Sequence, residues 1–151
     1  MKIILAALLL VAAGPAISAG AQTVAPGAAQ TTLMVDLESR RSGGRIAVAI
    51  FRDADSFRRG EGPVRSLMVD CNSRATRAWV VGLPPGRYAI AAFHDTDGDG
   101  KLTTTMGIPR EPFGFSNDAR GRFGPPAFEM AAFDLPPRGA IQRIALTPLM
   151  G

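Results

Sequence analysis

The residues best suited to chemistry in this sequence are three aspartates in one short acidic run. Asp95, Asp97 and Asp99 alternate with other residues, and Gly100 follows them at a point where the backbone must turn sharply. Calcium takes about six to eight oxygen ligands, and a glycine lets a loop of alternating carboxylates fold back around the ion. The run therefore predicts an oxygen-lined cation loop. A turn made of solvated aspartates is the alternative, since Asp and Gly also favour plain turns.

Two further ligands of the predicted site follow the glycine. The backbone carbonyl of Lys101 is the predicted fourth ligand, and the Thr103 hydroxyl, or a water that it holds, is the fifth. A helix-loop-helix calcium loop ends on a bidentate glutamate, but Met106 occupies that position here. We therefore expect a different type of loop and a weak structural Ca²⁺ site, with a dissociation constant on the order of 0.1 to 1 mM. The candidates for the remaining ligands are Glu111, Asp118, Glu129 and water.

The chain contains one histidine and one cysteine, which limits the catalytic groups that it can assemble. A lone histidine beside acidic residues is typical of a hydrogen-bonded structural side chain. A lone cysteine is typical of a small buried side chain, and an exposed Cys71 thiol that pairs between chains is the alternative. The alternative to a binding protein is an envelope-acting hydrolase with His94, Asp95 and Glu111 in a polar cleft. No motif completes such a constellation, so the sequence predicts a non-enzymatic protein.

The elements that must position the acidic loop are short segments with alternating apolar residues. Turn residues separate these segments, which is the pattern of an all-β sandwich or barrel. We predict a Greek-key β-sandwich of about seven strands, immunoglobulin-like or transthyretin-like, with one long Gly-, Pro- and Phe-rich loop at 105–122. Asp53 or Asp55 is suited to cap a single helical turn in the loop 53–62. The predicted strands are 31–38, 44–51, 63–69, 76–83, 88–93 and 140–149, and 128–133 fits either a strand or a short helix.

The aromatic residues are predicted to have structural roles. Tyr88 follows Pro84-Pro85-Gly86, and in Greek-key sandwiches a tyrosine at such a corner donates its hydroxyl to the backbone across it. We expect Trp79 to pack in the core or against loops, with an exposed apolar patch for a partner as the alternative. The same expectation applies to the phenylalanines at positions 113, 115, 123, 128 and 133.

The N-terminus and the charge indicate the compartment and exclude one class of partner. Met1-Lys2 and the apolar run 3–13 precede a small-residue cleavage site, which predicts a signal peptide over 1–21 with cleavage near Ala21. We expect a flexible lead-in at 22–30, a single domain over 31–150 and a periplasmic or extracellular location. The apolar run is shorter than the roughly 20 residues of a membrane span.

The formal charge of +4 comes mainly from scattered arginines, which argues against nucleic-acid binding.

Several motifs taken together resemble a known family. The strings Leu83–Ile90 (LPPGRYAI), Phe93-His94-Asp95 with its glycine loop, Gly107–Glu111 (GIPRE) and Gly114–Asn117 (GFSN) resemble the secreted bacterial family called domain of unknown function 2141. The likeness extends over roughly 31–149. It implies an exported β-sandwich with a leader peptide and no established activity, and family loops usually carry an aspartate at the position of Thr103. The corner alone is also similar to transthyretin-like and collagen-adhesin B-type modules, which are adhesion or spacer domains.

The function expected from all this is a binding or envelope-accessory module. In this interpretation a cation in the 95–103 loop orders the 105–122 segment, which then presents a surface to an envelope protein or ligand. A further alternative is a transport or assembly accessory in which the loop is purely architectural. The sequence does not separate this role from that of a binding module, because each needs only a rigid sandwich and an exposed face. The sequence leaves the partner and the oligomeric state open.

Overall fold

A computed structural model describes residues 31–106, 108–122 and 124–148. The predicted signal peptide and the lead-in 22–30 lie outside these residues, as does the end of the predicted C-terminal strand. None of the helices within the described ranges combines the length and the apolar character that a membrane crossing requires.

The described residues form ten strands and two helices. The strands are β1 (Thr31–Ser39), β2 (Arg45–Phe51), β3 (Arg65–Asp70), β4 (Ala75–Leu83), β5 (Gly86–Asp95), β6 (Thr104–Thr105), β7 (Ile108–Pro109), β8 (Phe113–Phe115), β9 (Phe133–Leu135) and β10 (Ala140–Leu146), and the helices are α1 (Ala54–Arg59) and α2 (Phe128–Ala131).

A three-stranded sheet is built on β1, which lies between β10 and β4. β1 runs parallel to β10 and antiparallel to β4. Leu33, Val35 and Leu37 alternate along β1 and are fully buried, while the residues between them are half-buried or exposed. This alternation is the two-residue period of a strand with one face in the core.

A five-stranded sheet carries the acidic loop. β2 pairs with β3 on one side and with β5 on the other, both antiparallel. The far edge of β5 is shared, because β9 pairs with its first residues and β8 with residues near its end. Strand β5 ends at Asp95, so its position in the sheet fixes where the acidic loop begins.

One hydrophobic core lies between the two sheets. Buried side chains of β1, β4 and β10 belong to the same cluster as those of β2 and β5, with Ile46, Val48, Ile50, Tyr88 and Ile90 among the latter. The prediction of an all-β fold is confirmed. The described residues contain ten strands rather than about seven, because four short strands of two or three residues join the long ones. The Greek-key connectivity stays a prediction.

The outer face of the five-stranded sheet is covered by helices. Asp53 caps α1 by accepting a hydrogen bond from the Ser56 amide at 2.9 Å. Of the two predicted caps, Asp53 and Asp55, the structure thus uses Asp53. Phe57 of α1 meets Phe51 of β2 and Phe128 of α2 edge to face. The ambiguous stretch 128–133 contains both structures in turn, since helix α2 is followed directly by strand β9.

The aromatic predictions have different outcomes. The Tyr88 hydroxyl donates to the Pro84 carbonyl at 2.7 Å, which confirms the predicted corner. Trp79 is 59% exposed, so its placement in the core is wrong. Its neighbours Ala78 and Val80 are buried, and on strand β4 the period of two therefore turns Trp79 outward. There it lies opposite Met34 of β1.

The segment 105–122 is more regular than an unpatterned loop. It contains part of the β6–β7 hairpin, the strand β8 and a 3-10 turn at Ser116–Asp118. The Ser116 hydroxyl accepts the Ile90 amide of β5 at 2.9 Å and donates to the Ala131 carbonyl at 2.5 Å. These bonds tie the segment to the sheet through pairings that no local sequence period encodes.

Candidate functional site

The acidic loop begins with a buried carboxylate. Asp95 ends β5 and is 0% exposed. Its Oδ1 accepts the Gly98 amide at 2.6 Å and its Oδ2 accepts the Gly100 amide at 3.0 Å. Both glycines have a positive φ, so the chain curls around this side chain as the glycines of the motif allow.

The two following aspartates lie at the surface and bond within the loop. Asp97 Oδ1 accepts the Asp99 amide at 3.2 Å, and its Oδ2 accepts the Thr103 hydroxyl at 3.1 Å. Asp99 Oδ1 accepts the Lys101 amide at 2.7 Å. The Asp99 amide, followed by the Thr103 hydroxyl, holds the pKa of the Asp97 carboxyl below its usual value, because these donors favour the charged form.

The three carboxylates converge. One oxygen each of Asp95, Asp97 and Asp99 lies within 4.8 Å of the other two. Within 31–106, 108–122 and 124–148, no lysine, arginine or histidine nitrogen forms an ion pair with any of them. The structure thus brings the three predicted carboxylate ligands together. Thr103 reaches the same loop through Asp97, whereas ligation by Lys101 and Thr103 stays a prediction.

Glu111 ties the two ends of the loop together. Its Oε1 accepts the Thr96 amide at 2.7 Å and the Thr96 hydroxyl at 3.1 Å. Its Oε2 accepts the Thr103 amide at 3.1 Å. Glu111 is 4% exposed, and the Arg110 amide beside it donates to the Thr103 carbonyl at 2.9 Å. This carboxylate therefore acts as a clamp that closes residues 96–103 into a loop.

The other three candidate ligands are not members of the converging triplet. The group of converging carboxylates found in the described chain contains Asp95, Asp97 and Asp99 without Glu111, Asp118 or Glu129. Asp118 accepts the Ala145 amide of β10 at 3.2 Å. Glu129 pairs with Arg87 at 2.6 Å. Ligation by Glu111, Asp118 or Glu129 stays a prediction, as does ligation by water.

The histidine and the cysteine are buried and hydrogen-bonded. His94 Nδ1 lies 2.8 Å from the Ser39 hydroxyl, and Nε2 lies 2.6 Å from the Gly43 carbonyl. Because a carbonyl only accepts, Nε2 carries a proton and donates to Gly43. Cys71 is buried and free, and its Sγ donates to the Ser73 carbonyl at 3.4 Å. The structural interpretation of both side chains is confirmed.

The residues of the hydrolase alternative are also engaged in holding the fold. His94, Asp95 and Glu111 are all buried, and the hydrogen bonds described above occupy both nitrogens of the imidazole and both oxygens of each carboxylate. A general base must reach the proton that it abstracts. None of the three lines the large surface groove that the structure contains near β8.

Sequence reasoning missed the role of Thr96 and named Glu111 only as a possible ligand. The sequence holds one signal for this clamp, since a glutamate between prolines, in Pro109–Pro112, is an unusual acid in an apolar stretch. Its partners are two backbone amides and the Thr96 hydroxyl, however, and a sequence does not show which groups a side chain reaches. The clamp became visible only from the folded positions of residues 96 and 103.

One comparison with known proteins identifies a family. A family model described as "Uncharacterized protein conserved in bacteria (DUF2141)" matches residues 36–142, from β1 into β10. No curated protein and no solved structure shows a significant match. The matched range covers more than half of the chain and includes the acidic loop, the clamp and the Tyr88 corner, so the chain belongs to the DUF2141 family.

Proposed function

We propose that this protein is an exported, non-enzymatic binding module whose loop 95–103 holds a Ca²⁺ ion. One observation carries the proposal: three carboxylate oxygens lie within 4.8 Å of one another, and no basic side chain within the described ranges is paired with them. The Lys101 carbonyl, the Thr103 hydroxyl and water complete the coordination. A set of hard oxygen ligands suits calcium better than a transition metal.

The charge of the loop explains why an ion stabilises it. Two like charges about 5 Å apart repel by about 1 kcal/mol in water, and by about 3 kcal/mol at the effective dielectric constant of a protein surface. The loop amides that donate to Asp95, Asp97 and Asp99 offset part of this repulsion. A divalent cation removes the rest. With only three carboxylates and no bidentate glutamate, the affinity lies at the weak end of protein calcium sites, on the order of 0.1 to 1 mM.

The proposed export of the protein and the proposed weak calcium affinity of the loop are consistent with each other. Residues 1–21 have the composition of a secretory signal, and we propose cleavage near Ala21 and a periplasmic or extracellular location. Sites of millimolar affinity are characteristic of extracellular modules. The bound ion orders the loop and the β6–β7 hairpin that follows it, and the module then presents this end to an envelope protein or ligand.

Amide hydrogen exchange tests this ordering. In 10 mM CaCl₂ we expect the amides of residues 96–108 to exchange at least about tenfold more slowly than in EDTA, because local opening must release the ion. In D97N/D99N this calcium response should disappear, because two of the three converging charges are gone.

A matched control separates the loop from general charge effects. Asp70→Asn with Asp134→Asn removes two exposed carboxylates elsewhere, on β3 and β9, and should keep the full calcium response. If calcium leaves the amide exchange of residues 96–108 unchanged in the unsubstituted protein, the proposal is wrong. A response that persists in D97N/D99N would place the ion elsewhere.

A further inference from the structure

A second feature at the same end of the molecule is an apolar surface groove. Its volume is about 580 Å³, within the range of about 300 to 1,000 Å³ that is usual for small-molecule sites. Leu102, Ile108, Phe113 and Phe115 are among its lining residues. All four are half-buried, and the two phenylalanine rings meet edge to face with centroids 5.9 Å apart. The groove thus keeps apolar surface partly in contact with water.

Basic side chains lie in the same lining. Arg120 and Arg122 are exposed and contribute to the groove. Arg120 donates through Nη1 to the Thr147 hydroxyl at 3.1 Å, and neither arginine forms an ion pair with a carboxylate in the described part of the chain. Asp118 is the one acidic residue in the lining, and its Oδ1 accepts the Ala145 amide. Two guanidinium groups against one carboxylate leave the groove with a positive excess.

We infer that this groove binds an amphipathic anion, whose alkyl chain lies along the apolar residues while its anionic headgroup meets Arg120 and Arg122. The charge of the lining excludes a cationic amphiphile as the preferred ligand, because two guanidinium groups would repel its headgroup. Guanidinium groups bind carboxylates and phosphates through paired N–H donors, so both headgroups fit this chemistry. The groove does not include the three aspartates, and this inference stands without a bound cation.

Isothermal titration calorimetry with dodecanoate and dodecyl phosphate, in EDTA and below their critical micelle concentrations, tests the groove. We expect saturable binding of one molecule per chain for at least one of them, and the stronger ligand identifies the headgroup as carboxylate or phosphate. The analogue with a chain two methylenes shorter should bind about tenfold more weakly, since each methylene leaves water on binding. Dodecyltrimethylammonium should bind at least about tenfold more weakly than the anions.

Two variants place the headgroup. R120Q/R122Q should weaken binding at least about tenfold, because hydrogen bonds to a charged group are lost. R40Q/R41Q removes the same charge from two exposed arginines outside the groove lining and should bind like the unsubstituted protein. Equal binding by R120Q/R122Q, equal weakening in the control, tight binding of the cationic amphiphile, or no saturable binding of either anion would each overturn the inference. Because EDTA is present throughout, these outcomes are independent of the calcium site.

Discussion

Glu111→Gln should lower the free energy of unfolding by about 3 kcal/mol, measured by urea denaturation in EDTA so that no cation contributes. The carboxylate accepts three hydrogen bonds, from the Thr96 amide and hydroxyl and from the Thr103 amide. A glutamine turns one acceptor oxygen into an NH₂ group, which then faces a donor. The Glu111 side chain is buried, and a hydrogen bond to a charged group contributes about 1.5 to 3 kcal/mol. For a domain of this size the midpoint of thermal unfolding should fall by about 10 °C.

Glu129→Gln is the matched control, because it makes the same chemical change at the surface. Glu129 pairs with Arg87 at 2.6 Å, but its side chain is 68% exposed, and such pairs contribute at most about 1 kcal/mol. The difference between the two variants therefore isolates the clamp. Equal stabilities of E111Q and E129Q would show that the loop ends do not depend on Glu111.

Gly114→Ala should also destabilise the protein by about 3 kcal/mol. Gly114 lies in β8, where a Cβ atom would come within 2.6 Å of the Ala145 carbonyl oxygen and 2.8 Å of Ile144 Cγ2, both in β10. The carbonyl belongs to a paired strand and cannot move aside like the end of a flexible side chain. Overpacking of this kind costs about 1 to 3 kcal/mol or more. Urea denaturation measures the loss.

Gly86→Ala provides the comparison for a glycine whose added Cβ would make only van der Waals contacts. A Cβ at Gly86 would approach the Arg52 Nη2 atom no closer than 3.4 Å, and this atom ends a flexible side chain. We expect a change within about 1 kcal/mol in either direction. If G114A is as stable as G86A, then β8 does not pack as closely on β10 as the structure has it.

The sequence predicted those features that depend on neighbouring residues along the chain. The alternation in β1 and β2, the helix cap at Asp53 and the Tyr88 corner are local patterns, and the structure contains each of them. The prediction for Trp79 is wrong because it rests on the type of the side chain and not on such a pattern. The period of two between Ala78 and Val80 turns this residue outward.

The features that the sequence did not predict depend on contacts between distant segments. β8 exists because it pairs with β5 and packs on β10, and neither partner is near it in sequence. The clamp joins Glu111 to two backbone amides, and the groove brings Arg120 and Arg122 against β8 and the β6–β7 hairpin. The carboxylate triplet was predictable because its spacing is local. The clamp and the groove beside it were not, because they depend on the folded positions of separate segments.

Thermal unfolding with and without calcium tests the cation site most directly. The protein is unfolded in EDTA and again with CaCl₂ stepped from micromolar concentrations to 10 mM. A ligand at about 100 times its dissociation constant adds about 2.7 kcal/mol to the stability of the folded state, which raises the midpoint by several degrees. At 10 mM calcium, which is about 10 to 100 times the proposed dissociation constant, we predict a raised midpoint that increases with the logarithm of the calcium concentration and is absent in D97N/D99N. A midpoint that stays constant up to 10 mM calcium, or that rises equally in D97N/D99N, would contradict a calcium site in the loop 95–103.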